Sequence, residues 1–182
     1  MAKLINGVRV VTNKVRLSYA HVAQPSSGMG NGDPKYSVSV IIDKGDTETI
    51  SLIEKAMDQA LKDGASKFGG KIPNKSSIHL ALRDGDERED EAYQDAYFVN
   101  CNSKQAPQVV GPDRKPMDPE GIYSGCYAQV SINFYAYNVN GSKGVAAGLG
   151  NIMFLEDGEP LGGGHVSASS DFGEADDDEF LN

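Results

Sequence analysis

Asn133, Tyr135 and Tyr137 fall on alternate positions of the run Tyr127–Val139, so an amide and two phenol rings share one face of a strand. The opposite face, Ala128, Val130, Ile132, Phe134 and Ala136, is apolar throughout. A face that is polar and aromatic at once is more than solvation requires. Arg16, Lys35, Arg83, Lys104 and Lys143 stand on neighbouring segments, and Asn100 adds a second amide. Rings that stack unpaired bases, with cations that follow a phosphate backbone, are the ingredients of sequence-tolerant binding to single-stranded nucleic acid. The competing reading of the two tyrosines is cross-strand packing at a dimer interface.

The elements that must hold these residues follow from periodicity. Alternation predicts strands over Gly7–Leu17, Lys35–Ile42, Ser77–Leu82, Tyr97–Cys101, Tyr127–Val139 and Gly144–Leu155, with Asn140-Gly141 as a hairpin turn between the last two. Turn formers crowd residues 24–34, and Pro107, Pro112, Pro116 and Pro119 predict a long surface loop. Between strands the period changes once. Ile50, Ile53, Met57 and Leu61 recur at spacings of three and four behind Asp46, a good N-cap, and ahead of Gly64, which predicts a helix over 47–63. The fold class is mainly β with one helix, a barrel of five or slightly more strands.

Charge is distributed unevenly. The chain of 182 residues has a net charge of -9, with 17 basic and 26 acidic residues. Nine of the acids lie beyond Leu155, where there is no Lys or Arg, so residues 1–155 are neutral. Within that body, Arg83–Asp95 sets seven acids against Arg83 and Arg88, which leaves the rest of the body at +5. An acidic total therefore does not exclude a phosphate-rich partner. Past Leu155 the Gly/Ser-rich, acidic composition cannot bury enough apolar area to offset its chain entropy. The expected organisation is a domain over 1–158 and a disordered tail over 159–182. Asp176, Asp177, Asp178, Glu179, Phe180 and Leu181 form a partner-docking motif at its end.

Other chemistries find no support. No apolar run approaches the roughly 18 residues of a membrane span, and Met1–Gly7 leads into a strand pattern with no signal-peptide core. Cys101 and Cys126 form no CxxC pair and read as small buried hydrophobes, with a disulfide between them as the alternative, while His21, His79 and His165 are scattered. There is no nucleophile elbow, HExxH or phosphate-binding glycine loop, and the carboxylates of 84–95 lack the spacing of an EF-hand. The chain is expected to be no enzyme and to need no metal or other cofactor.

The runs Asn13–Ala20, Pro34–Ser39, Leu82–Asp86, Asn100–Lys104, Tyr123–Tyr127, Val130–Tyr135 and Gly148–Ile152 resemble, in order, those of a family of bacteriophage and prophage single-stranded DNA-binding proteins. The resemblance covers roughly residues 8–162. It implies an OB-fold, sequence-independent binding of single-stranded DNA in phage replication or recombination, and a place in the host bacterial cytoplasm. The tail ending Glu179-Phe180-Leu181 is similar to those by which replication proteins of this kind engage polymerases and helicases. The apolar excess around Tyr123–Tyr127 leaves room for a homodimer. Two rival readings stay open: an acidic DNA mimic that inhibits a host nucleic-acid enzyme, and a small-ligand or oligosaccharide binder on the same barrel.

Overall fold

The computed structural model describes residues 1–27 and 33–161. In chain order these form β1 (Lys3–Ile5), β2 (Arg9–Val11), β3 (Val15–Ser26), β4 (Lys35–Asp43), α1 (Thr47–Asp63), β5 (Leu82–Asp84), β6 (Ala96–Ser103), β7 (Val109–Val110), β8 (Tyr127–Val139) and β9 (Ser142–Glu156). Five strands close on themselves. β3 pairs with β4, β4 with β6, β6 with β9, β9 with β8, and β8 again with β3. Of these five barrel pairings, β6–β9 is the parallel one, at Asn102 and Gly148. Numbered along the barrel strands this is the order 1-2-3-5-4-1, the OB arrangement.

Alternation decides which side chains enter the barrel. Ala128, Val130, Ile132, Phe134 and Ala136 of β8 are buried, as are Val38, Val40 and Ile42 of β4. Their neighbours are sent outward, and a slip of one residue would invert both sets, so the hydrophobic pattern fixes the register. Asn140 and Gly141 both have positive φ, which suits the twist of the β8–β9 hairpin they close. The helix α1 matches its expected bounds. Asp46 accepts from the Thr49 backbone N–H and from Asn13 Nδ2, so the cap also ties α1 to the start of β3. Ile53, Met57 and Leu61 then go into the core, at roughly 1.5–3 kcal/mol for each large side chain fully buried.

Four expectations are revised. Gly7–Leu17 is not continuous: it breaks between β2 and β3, because Thr12 is buried and its Oγ1 both accepts from Val130 N–H and donates to Asn13 C=O. The break lets β2 pair with β8 at Val11–Ser131 while β3 pairs with it at Val15–Ala128. Ser77–Leu82 starts instead as a 3-10 turn, Lys75–Ser77, capped by Asn74. An extended ribbon then joins β9 at His79 and Gly144 before β5 begins. A Cβ on Gly144 would lie 2.2 Å from the His79 carbonyl oxygen, so that approach requires glycine. The proline-rich loop holds the short edge strand β7, and β3 runs on to Ser26, into the expected turn region.

Cys101 and Cys126 are buried and unpaired, and burial pushes the Cys101 thiol up to about 12. Among the described residues no helix is long and apolar enough to cross a membrane.

Candidate nucleic-acid interface

The outward face of the barrel forms a continuous cleft across β3, β4, β6, β9 and β8. Its larger part is a groove of about 1070 Å³ bordered by Tyr135 and Tyr137, by Asn100 and Asn102, and by the ribbon Ile78–Leu82 with Arg83. Tyr135 faces Ala146 and Tyr137 faces Gly144 across the β8–β9 ladder, so the residues opposite the rings on β9 are small. Tyr135 is 43% exposed, enough to offer a ring face to a ligand. A hollow of about 410 Å³ continues from the shared Asn100 and Asn102 to Ser37, His21, Tyr19 and Arg88. The result is a trench with rings at both ends and amides along its floor.

Four of the residues expected from sequence line this trench together: Arg83, Asn100, Tyr135 and Tyr137. Asn133 shares the face, one alternate position beyond Tyr135. Lys35 precedes Ser37 by one alternate position on β4, and Lys104 lies just past the end of β6. Two cations belong elsewhere. Arg16 donates from Nε to Gly125 C=O and from Nη2 to Glu159 C=O, 2.6 Å away, so it clamps the chain leaving β9. Lys143 pairs with Asn138 rather than with a tyrosine, which puts it on the opposite face of the hairpin. Asp176–Leu181 lie outside the described residues.

Sequence reasoning missed Tyr19, Arg88 and Asn102. Asn102 was available from the alternation that gives Asn100. Tyr19 was not: it has φ 48° and sits at a register shift in β3, where period two fails. Tyr19 is 40% exposed at the mouth of the hollow. Arg88 was hidden by its acidic neighbours.

The acidic stretch folds into a corner. Asp84 and Asp90 cap two 3-10 turns, Gly85–Glu87 and Glu91–Tyr93. Tyr93 is fully buried, donates to Ser39 Oγ at 2.8 Å and meets Phe98 edge-on at 5.1 Å. Lys44 pairs with Asp84 at 3.0 Å and Asp86 at 2.7 Å. The Asp86 backbone N–H and Lys44 hold the Asp84 carboxyl below the usual carboxylate range, and Lys44 with the Asp95 N–H does the same for Asp86. Arg88 points the other way, its guanidinium 4.3 Å from the Tyr93 ring centre and 5.7 Å from that of Tyr19. The corner thus delivers a cation to the trench. Asp84 and Glu87 also border the groove, so its charge is mixed.

The apolar residues around Tyr123 are used within the chain. Ile122 and Cys126 are buried, and the Tyr123 hydroxyl donates to Asp157 and accepts from Gly158 N–H. That contact with Asp157 raises the Tyr123 phenol above its ordinary range. Residues as far as Leu161 lie against the barrel, the Leu161 N–H donating to Ser124 C=O and its side chain leaning on the Ile41–Tyr93–Phe98 cluster. Among the described residues no group of three or more His, Cys, Asp or Glu side chains is placed to hold a metal ion.

The same architecture recurs in solved structures. The single-stranded DNA-binding protein of bacteriophage Enc34, in complex with ssDNA, superimposes with a TM-score of 0.79 at 22% identity, covering 88% of this chain and 93% of that one. Gp2.5, a single-stranded DNA-binding protein encoded by bacteriophage T7, gives a TM-score of 0.62 at 16% identity over 97% and 98% of the two chains. These likenesses establish the fold. In sequence, protein p50 of Acyrthosiphon pisum secondary endosymbiont phage 1 is 30% identical over 186 aligned positions, 96% of this chain and 99% of that protein. The family model described as Enterobacter phage Enc34, ssDNA-binding protein, matches residues 8–181. With nearly the whole length matched, from the start of the barrel through its trench, the chain belongs to the Enc34 ssDNA-binding protein family.

Proposed function

We propose that the trench binds single-stranded DNA without regard to sequence. The observation that carries this reading is the convergence of Tyr135, Tyr137, Asn100 and Asn102 on one open groove, in a chain whose family is that of a phage ssDNA-binding protein. Every base has a π-face, so stacking on tyrosine is worth about 1–3 kcal/mol per base whatever the base is. Tyr135 and Tyr137 stack at one end and Tyr19 at the other. Asn100, Asn102 and Asn133 bond to base edges or backbone, while Arg83, Arg88, Lys35 and Lys104 attract phosphate. No group in the trench needs to perform covalent chemistry, so the protein acts as a binder. One copy carries the whole trench, and a second is not needed for contact.

The setting is phage DNA replication or recombination in the host cytoplasm. The tail motif Asp176–Leu181 recruits a polymerase or helicase, and its acids compete with DNA for the same cations until a strand displaces them. Deleting residues 171–182 then tightens DNA binding severalfold and abolishes partner recruitment; unchanged affinity would remove the competition from the scheme. The DNA-mimic reading is weakened by the use of Asp84, Asp86 and Asp90 in pairing and capping.

The direct test is a titration against fluorescent oligo-dT and its duplex counterpart at low and high salt. The chain has no Trp, so quenching of its tyrosine emission reports stacking separately. Tight binding to the single strand, weakened by salt, is the expected result. Absence of binding at low salt would overturn the proposal.

A further inference from the structure

The face that carries the tyrosines does not end with them. Along β8 the outward positions run Tyr137, Tyr135, Asn133, Ser131 and Gln129, a distance of about 27 Å at the usual rise of a strand. At the Gln129 end lies a trough of about 570 Å³ formed where β1 and β2 dock on one edge of β8 and β7 docks on β9. Its charged residues are Lys3, Arg9 and Arg114, with Gln108, Gln129 and Asn151 as amides and no carboxylate in its lining.

The cations are placed and unneutralised. Arg9 donates from Nη2 to Ser131 Oγ at 3.0 Å, which fixes the guanidinium over the trough while using one of its five N–H groups. Arg114 occupies a left-handed backbone position, φ 65°, in a turn closed by the Gly111 N–H to Lys115 C=O and the Arg114 N–H to Gly111 C=O. Among the described residues the ion pairs are made by Lys14, Lys44 and Lys75, and none involves these three cations. Between trough and trench stands Asn133, the ladder partner of Arg9 on one side and of Gly148 on the other. On β8 its amide is the outward side chain between Tyr135 and Ser131.

We infer that this trough is a second segment of the single-strand path, taking the phosphates of DNA that has left the aromatic trench. The inference rests on the ssDNA reading of the trench. Three cations with amides but no ring fit a backbone better than bases, and continuity along β8 supplies the strand. A short oligonucleotide fills the trench alone, whereas a longer one reaches Arg9 and Arg114.

The experiment uses the full chain, a double variant R9Q/R114Q, a second double variant K3Q/R114Q that keeps the Arg9–Ser131 bond, and Y135A/Y137A. Each is titrated with oligo-dT of about 5 and about 15 nucleotides, within the range one OB-fold covers, at several salt concentrations, with thermal melts to check folding. Both charge variants should bind the short strand as the wild type does and lose about tenfold on the long one. Their slope of log affinity against log salt should become shallower by about 1.4, at about 0.7 per phosphate contact. Equal losses at both lengths, or none at either, would overturn the trough. Failure of the underlying reading looks different: the wild type binds neither strand, or Y135A/Y137A leaves the short-strand affinity unchanged.

Discussion

The two ends of the β8 outward face are built for different forces. At one end Tyr135 and Tyr137 stand over a groove of mixed charge, with Arg83 set against Asp84 and Glu87. At the other, Lys3, Arg9 and Arg114 gather with no ring and no acid. Stacking depends on surface removed from water and is little affected by salt, whereas phosphate contacts release counterions and weaken steeply with it. One strand face can therefore hold bases at one end and backbone at the other. On the proposed reading, that difference suits binding of any sequence, since rings and cations act on features that every nucleotide shares.

The comparison is broken most directly at the aromatic end. In Y135A/Y137A, each ring removed costs about 1–3 kcal/mol, so affinity for oligo-dT should fall roughly 30-fold or more while the salt slope stays close to that of the wild type. A slope that falls together with affinity would mean the rings only position cations. Stability should fall only modestly, because Tyr135 is 43% exposed and the half-buried Tyr137 pairs with Gly144, which has no side chain to pack on it; a thermal melt checks this.

A smaller effect tests the acidic corner that brings Arg88 to the trench. Tyr93→Phe leaves the ring under Arg88 but removes the buried hydroxyl that donates to Ser39. The loss should be about 1 kcal/mol, or about 2–4 °C in Tm for a chain of this size. Arg88→Gln removes a cation held 4.3 Å from the Tyr93 ring centre and should weaken oligo-dT binding severalfold, with a shallower salt slope. If Arg88→Gln binds normally, the corner is structural and the trench relies on rings and amides.

The parts of this arrangement that were legible in the sequence are those set by short-range periodicity. Alternation placed Tyr135, Tyr137 and Asn100 outward, and Asp46 and Gly64 bounded α1, because one strand or one helix suffices to determine each. What was lost depended on something period two cannot carry. Tyr19 sits within a register shift, and Lys143 is moved to the other face by its place in the hairpin. Arg16 is claimed by Gly125 and Glu159, each more than a hundred residues away. Arg88 looked like a minor partner in an acidic run until Lys44, from another strand's end, took up Asp84 and Asp86. The basic trough needed three short strands to dock along β8 and β9, and strands of two or three residues leave almost no periodic trace.

The least of the expected effects concerns that same Lys44 cluster and its response to acid. Asp84 and Asp86 have carboxyls held below their ordinary range, chiefly by the Asp86 N–H for the first and by Lys44 for the second. A group depressed on folding contributes stability that is present above its unfolded pKa, about 3.9, and is lost as pH falls through the lower folded value. Lys44 is raised by the same two acids, so its contribution is present below about 10.4 and is lost only as pH rises through its higher folded value. Both are in force across neutral pH, and both sets of groups are exposed to solvent, which screens them. Acidification below about pH 4 should therefore lower Tm modestly, and Lys44→Gln should remove most of the part due to Asp86, while the Asp84 response persists in part through its backbone bond. A chain in which Lys44→Gln leaves the acid limb unchanged would show that the acids are held by the turns alone. The mixed charge of the trench would then be a property of the corner's backbone, independent of the lysine.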